Sequence, residues 1–372
     1  MDVLLIAPYC GGSHQSWAQG FVQHSRNHVQ LLALPARFWK WRMHGGAATL
    51  AEMAEDREAK PDALLVTDML NLPAFLGLMR QRYSDVPAAL YCHENQLTYP
   101  LQAGEKRDLT YGVINWLSML AADSVFFNST YHLEAWFDEL PRLLKHFPDY
   151  SHVHRIPEVR AKARVLPVGC ELTRIQFPPP ALRLAKEGQE PPLILWNQRW
   201  EYDKDPATFF RALDALVAEG IAFRVALAGS NTHQQPTEFE AARERLGARV
   251  IHFGRADEAS YVRLLSEADV VVSTALHEFF GVAVVEAIAG GCFPVLPKRL
   301  VYPEILPAAY HPACLYASFE GLVERLRWAL THRQEARELA AGLQPVVRQY
   351  DWSTIAPLYD RELEALIHPS ST

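Results

Sequence analysis

Short apolar runs alternate with amphipathic segments along the whole chain. In the first half, runs at 2–7, 28–34, 63–67, 88–92, 124–128 and 165–168 predict strands, with helical patterns over 109–122 and 130–144 between them. Alternation of this kind builds a parallel sheet covered on both faces. A Pro-rich polar stretch, from Pro178-Pro179-Pro180 to Pro191-Pro192, interrupts the pattern and reads as a linker. Beyond it, strands are predicted at 193–197, 223–228, 249–253, 270–273, 293–296 and 314–316, and helices at 206–219, 258–268, 282–289, 319–332 and 334–349. A last helical pattern, 353–367, closes the chain. The expected fold class is α/β: two Rossmann-like, doubly wound domains facing each other across a ligand-binding cleft. The domains are expected at 1–177 and 193–350, joined by a linker over 178–192. The helix within 351–372 is expected to pack back on the first domain. No internal repeat of about 20–50 residues is visible.

Composition excludes several classes. With 372 residues, 49% of them hydrophobic and 21% charged, the chain is an ordinary globular one and not a disordered segment. It lacks any apolar run of about 18 residues, so no membrane span is expected. Asp2 ahead of a short apolar run predicts no export signal. Five scattered cysteines without a CxxC pair read as buried thiols in a reducing cytosol. A cytoplasmic protein is expected; the oligomeric state is not legible.

The net charge of −7 offers no global basic field for nucleic acid. Locally the picture differs. The second half carries 20 Lys+Arg against 26 Asp+Glu, whereas residues 142–164 hold Arg142, Lys145, Arg155, Arg160, Lys162 and Arg164 against Asp149 and Glu158. A second cluster, Arg37-Phe38-Trp39-Lys40-Trp41-Arg42, interleaves cations with aromatics. That mix suits phosphate contact plus base stacking, and a solvated surface loop fits it equally well.

The most informative stretch runs from Ser273 to Gly291. Glu278 and Glu286 lie eight residues apart, with Gly281 opening a helix near Val282. The first N–H groups of such a helix, with its positive dipole end, form a phosphate site. Glu278 would lie on the sugar side of that phosphate, and Glu286 could take two ribose hydroxyls. A surface loop followed by an ordinary helix also fits a bare pair of glutamates at this spacing. Arg199 and Lys204, on the loop after the first strand of the second domain, can neutralise a leaving diphosphate without a metal. Asp203 and Asp205 spell a DxD, but Asp205 before Pro206 is better read as a helix N-cap, and no third metal ligand is in view. His152 and His154 likewise lack further ligands. No metal or other cofactor is expected.

In the first domain, strand 2–7 ends in Pro8-Tyr9-Cys10-Gly11-Gly12-Ser13-His14, where adjacent glycines let backbone approach a phosphate or sugar. Another strand ends in His93-Glu94-Asn95-Gln96, a site candidate for which a polar turn is the alternative. No GxGxxG, GxSxG or P-loop occurs, which disfavours nicotinamide oxidoreductases, serine hydrolases and P-loop NTPases.

Glu278, Glu286, Arg199 and Lys204 together resemble the retaining GT-B glycosyltransferases of family four. More closely, the chain resembles the tRNA-queuosine mannosyltransferase family, also described as glycosyltransferase-one-domain-containing proteins. The strings that carry this are Tyr9-Cys-Gly-Gly-Ser-His14, Leu34-Pro-Ala-Arg-Phe-Trp-Lys-Trp-Arg42, Tyr91-Cys-His-Glu-Asn-Gln-Leu-Thr-Tyr-Pro100, Arg107-Asp108 with Tyr111-Gly112, and Phe127-Asn-Ser129. The resemblance implies retaining transfer of mannose from GDP-mannose to the cyclopentene-diol of queuosine in tRNA(Asp). It implies that Arg199 and Lys204 bind the donor diphosphate, Glu278 the sugar hydroxyls and Glu286 the ribose. Phe279, Phe280, Gly281 and Val282 would complete the donor side, while Gly11, Gly12 and His93 line the sugar and acceptor side. His93, Arg199, Lys204 and Glu278 are the expected catalytic residues. Acceptor contacts are expected from Ser13, His14, Glu94 and Asn95, and from Arg37, Trp39, Trp41, Arg155, Arg160, Lys162 and Arg164. A GT-B enzyme acting on a lipid, glycan or small molecule, and a nucleotide-sugar-binding protein without transfer activity, stay open beside this reading.

Overall fold

The computed structural model describes residues 1–101, 104–175, 190–229 and 237–368. Most of the expected linker, residues 178–189, lies outside them. The chain divides into two compact units, Met1–Cys170 with Trp352–Thr372, and Glu171–Asp351. The first unit therefore closes at Cys170, not at 177, and it takes back the end of the chain.

Six strands build the first sheet: β1 (Asp2–Cys10), β2 (His28–Pro35), β3 (Ala63–Thr67), β4 (Ala88–Cys92), β5 (Ser124–Phe127) and β6 (Ala163–Val165), in the order β2-β1-β3-β4-β5-β6. Every pairing is parallel, with Val3 opposite both Val29 and Ala63. All five residues of β3 and of β4 are buried, because helices cover both faces. The order reverses between β1 and β3, and ligands of such sheets bind outside the carboxyl ends of the strands at that switch point. Strand β6 lies upstream of the expected 165–168; Pro167 has no N–H to give a ladder. The helix Trp39–Glu55, which the sequence reading did not place, begins inside the cation–aromatic string.

The helix Trp352–Ile367 completes this unit. Tyr359 accepts a hydrogen bond from Trp17 Nε1 and donates one to the Pro167 carbonyl, both at 2.9 Å. Buried Asp360 accepts from the Arg26 backbone N–H and from Asn27 Nδ2, each at 3.0 Å.

The second sheet comprises β7 (Leu193–Trp196), β8 (Arg224–Leu227), β9 (Val250–Phe253), β10 (Val270–Val272), β11 (Phe293–Pro297) and β12 (Leu315–Tyr316). Their order, β12-β11-β10-β7-β8-β9, is the Rossmann order, with its switch point between β7 and β10. Cys314 ends a short helix, His311–Cys314, instead of opening the last strand. Among the described residues, no helix is long and apolar enough to cross a membrane.

Candidate functional site

At the switch point of the second sheet, the loop after β7 meets the loop after β10. Lys204, 6% exposed, places its Nζ 2.7 Å from the His277 carbonyl, 3.0 Å from Asp203 Oδ2 and 3.4 Å from Glu278 Oε2. Burial alone would push the Lys204 ammonium down, but Glu278 and Asp203 override it and hold it above its ordinary value. Burial likewise opposes ionisation of Glu278, yet the Lys204 charge, helped by His277 and Arg199, keeps its carboxyl below the usual range. The sequence brings these groups together through two local devices. Asp205 accepts from Thr208 N–H at 3.3 Å and starts the helix Pro206–Ala218. Gly281, at φ +82°, caps the helix Val282–Ala289, a backbone conformation that favours glycine.

Glu278 Oε1 accepts from the N–H groups of Gly281 (3.1 Å) and Phe280 (3.4 Å). The rings of Phe279 and Phe280 are buried, against His277 and Tyr350 respectively. Glu286 is buried on the helix, with Oε1 bound by Arg174 at 2.6 Å and Oε2 by the Tyr261 hydroxyl at 2.8 Å. Asn197, one residue beyond β7, donates to Tyr261 Oη (3.1 Å) and to the Ala283 carbonyl (2.8 Å). Sequence reasoning missed Arg174, Tyr261 and Asn197; only Asn197 carried a signal, its place at a strand's carboxyl end. Arg199 is half-exposed, 3.3 Å from Glu201. The two DxD carboxylates are engaged, Asp203 by Lys204 and Asp205 as a cap, and no group of three or more His, Cys, Asp or Glu is placed to hold a metal among the described residues.

In the first unit, the loops after β1, β3 and β4 converge at the other switch point. Gly11 precedes the helix Gly12–His24, and a Cβ there would stand 2.4 Å from Ala36 Cβ. Ser13 is exposed, while His14 is buried with its ring 4.3 Å from that of His93. Trp17 meets His93 edge-on at 4.5 Å. Burial first, then the neighbouring His14, pushes His93 well down, so it is a neutral imidazole at pH 7. Asn95 is fully buried; its Oδ1 braces the turn by accepting from Leu97 N–H at 2.8 Å. Asp68, one residue beyond β3, is buried beneath this group, with Oδ2 accepting from Glu94 N–H at 3.2 Å. It was not singled out in the sequence.

The two basic clusters part company. Arg37, Trp39 and Trp41 follow β2 at the carboxyl edge of the sheet, beside the switch-point loops. Trp39 is half-buried and packs on Tyr111 at 4.8 Å, against a small apolar cluster that includes Met43 and Met69. Trp41 is 62% exposed and Phe38 78%. Lys162, by contrast, immediately precedes β6 and donates to the carbonyls of Leu120 and Ala122 just ahead of β5. In a parallel sheet that is the amino edge. Lys162 caps a helix end there, and burial pushes its ammonium down. Arg155 pairs with Glu158, Arg160 with Glu134, and Arg164 donates to the carbonyls of Ala161 and Ala163. Of the four basic residues expected to contact the acceptor here, Lys162 is tied to backbone carbonyls at this edge, and Arg155, Arg160 and Arg164 each have a partner within the first unit.

Two Rossmann-like units, the second with a buried lysine–glutamate pair at its switch point, define a GT-B glycosyltransferase fold. Sucrose-phosphate synthase from Thermosynechococcus elongatus shares it with a TM-score of 0.76, 17% identity and full coverage of both chains. Anabaena HepE, solved with UDP-glucose, matches with a TM-score of 0.69 and 16% identity over 98% of this chain and 100% of its own. Residues 2–170 match the family profile described as tRNA-queuosine alpha-mannosyltransferase N-terminal, and residues 184–342 match glycosyl transferases group 1. A curated tRNA-queuosine alpha-mannosyltransferase from Drosophila melanogaster is 35% identical over 329 residues, covering 87% of this chain and 85% of its own. The chain belongs to the tRNA-queuosine alpha-mannosyltransferase family.

Proposed function

We propose that this protein is a retaining mannosyltransferase that moves mannose from GDP-mannose to queuosine in tRNA(Asp), without a metal. The observation that carries the reading is the Lys204–Glu278 pair beside the start of the Val282–Ala289 helix. There a cation, a carboxylate and a helix N-terminus stand together, as the departure of a sugar from a diphosphate requires. Of the three contacts to Lys204 Nζ, the 3.4 Å one to Glu278 is the longest, and the incoming diphosphate replaces it. Glu278 is then released toward the sugar hydroxyls. As the C1–O bond to phosphate breaks, an acceptor hydroxyl attacks C1 from the same face. Its proton passes to the leaving diphosphate oxygen, so no protein nucleophile takes part. Lys204, Arg199 and the helix N–H groups stabilise the charge that develops. Family membership over residues 2–170 and the relative's named activity support queuosine in tRNA as the acceptor.

Radiolabelled GDP-mannose incubated with queuosine-containing total tRNA tests this directly. Label is expected in tRNA(Asp) and absent from tRNA prepared without queuosine. Donor hydrolysis without any tRNA labelling would pass the chain to another acceptor class, and labelling from UDP-glucose alone would overturn the donor. EDTA is expected to leave the rate within twofold, because cations and a helix terminus neutralise the leaving group. Loss of activity restored by manganese would bring Asp203 and Asp205 back as ligands.

The tRNA surface is expected at the carboxyl edge of the first sheet. Changing Arg37, Lys40 and Arg42 together to Gln should flatten the salt dependence of tRNA binding, by roughly 0.7–0.9 log units of slope for each phosphate that is no longer neutralised. The same change at Arg155, Arg160 and Arg164 should hardly alter it. The reverse outcome would place the tRNA at the amino edge.

A further inference from the structure

Beneath the acceptor-side loops of the first unit lies a set of buried polar atoms without partners among the described residues. Asp68 Oδ1, His14 Nδ1, His93 Nε2 and Asn95 Nδ2 are all shut away from solvent, and none of these atoms has a hydrogen-bond partner there. Asp68 is 4% exposed, His14 9% and Asn95 0%. Leaving one such atom unpaired costs free energy, and four converging from three adjacent strand ends point to a ligand. Glu94 adds a second carboxylate, with its Oε1 3.9 Å from His14 Nε2. The combination of two carboxylates with imidazole and amide groups is specific: it suits a ligand that carries both a cation and hydroxyls.

We propose that Asp68, with Glu94 beside it, binds the protonated secondary amine of the acceptor, while His14 and Asn95 bind its hydroxyls. This rests on the queuosine reading above, since the queuosine base carries its cyclopentene-diol on an aminomethyl arm. A buried carboxylate gains most from a cationic partner, because the low dielectric that penalises it alone strengthens the pair. An acceptor guanine without the arm offers neither group, so the same atoms would reject it by staying unpaired.

The protonation behaviour of the site supports this. Burial raises the Asp68 carboxyl to about 6; His14 opposes the rise, Glu94 adds to it, and the N–H groups of Glu94 and His93 restrain it. Cys92 on β4 and His93 are the other titratable groups near it, and both are held neutral by burial. Asn115, from the neighbouring helix, donates to the Asp68 carbonyl at 2.6 Å and carries no charge. Binding that needs the carboxylate therefore strengthens as pH rises through about 6, and weakens below it.

The test is a two-by-two comparison at saturating GDP-mannose. Wild type and Asp68→Asn are each assayed on queuosine-tRNA and on the same tRNA with its secondary amine acetylated to a neutral amide. In wild type, acetylation is expected to raise the acceptor KM by roughly 30-fold or more, as expected for losing one partner of a buried charge pair. In Asp68→Asn the KM is raised similarly for the amine acceptor, acetylation adds nothing further, and the fall in KM between about pH 5 and 7 disappears. Penalties that multiply, or a pH dependence that survives in the variant, would overturn the assignment while leaving the mannosyltransferase intact. No labelling of queuosine-tRNA by wild type would overturn both. If Asp68→Asn does not fold, Glu94→Gln serves in the same scheme, with a smaller penalty of the same non-multiplying form.

Discussion

Lys204→Ala is expected to stop transfer and to destabilise the second unit at once. The side chain is 7% exposed and is the cation between Asp203 and Glu278. Removing it leaves two carboxylates in a site built for a pair, and breaking such a pair costs about 3–5 kcal/mol. For a unit of this size the melting temperature should fall by on the order of 10 °C. Transfer should slow by roughly 100-fold or more, the size expected when one charge-stabilising group is lost. The two effects separate in the triple variant Lys204→Ala, Asp203→Asn, Glu278→Gln. Without the buried like charges, stability should largely return, while transfer stays slow. Arg199→Ala supplies the converse: its side chain is 55% exposed, so its loss should slow transfer with little change in melting. The pair itself has a pH window. Glu278 is held below its ordinary 4.5 and Lys204 above its ordinary 10.5, so the contribution is fully present between those values. It is lost as acid protonates Glu278 or strong alkali discharges Lys204. Near-normal transfer by Lys204→Ala would remove this lysine from the mechanism.

Much of this site could be read before folding, and the physical reasons are specific. Strands buried on both faces, such as β3, β4 and β10, must be near-continuous apolar runs, so they stood out. Gly281 and Asp205 announced helix starts through local chemistry that needs no tertiary context: a positive φ at one, a capping oxygen at the other. Contacts across long stretches of chain were invisible. Arg174 reaches a glutamate 112 residues away, and nothing in its own neighbourhood signals that. Asp68 is one carboxylate after one strand; it gains meaning only because the strand order places it beside the loops holding His14 and His93. The basic residues are a different case. A linear count of charge cannot tell the two edges of a parallel sheet apart, so Arg155, Arg160, Lys162 and Arg164 looked equivalent to Arg37. Nor can it tell a stacked Trp from a packed one: Trp39 faces Tyr111, and Trp41, two residues on, faces solvent.

Trp352→Ala should be among the most damaging changes outside either site, although it lies in the chain's last helix. The indole is 1% exposed. It lies so close to Gly20 and Gly169 that a Cβ at either would come within 2.1 Å or 2.3 Å of its ring. Phe21 and His24 stack against it from the helix Gly12–His24. Backbone approaches this tight cannot collapse to fill the space left by Ala, so the cavity persists and the loss should be about 3–5 kcal/mol. The damage should be confined to one unit. Hydrogen exchange is expected to accelerate across β1 and the helix Gly12–His24, while β10 of the second unit keeps its protection. Gly20→Ala should have the same signature from the opposite side, by forcing the indole out. Removing residues 352–372 altogether should be worse still, because Tyr359 and Asp360 go as well, and with them the bonds to Trp17, Pro167 and Arg26. All six strands of the first sheet would remain in that truncated chain. If it nonetheless melted like the intact protein, the last helix would be an accessory and not a structural member of the first unit. The expected result makes the acceptor-side unit discontinuous in sequence: its core closes only when the final residues arrive, after the whole second unit has been made.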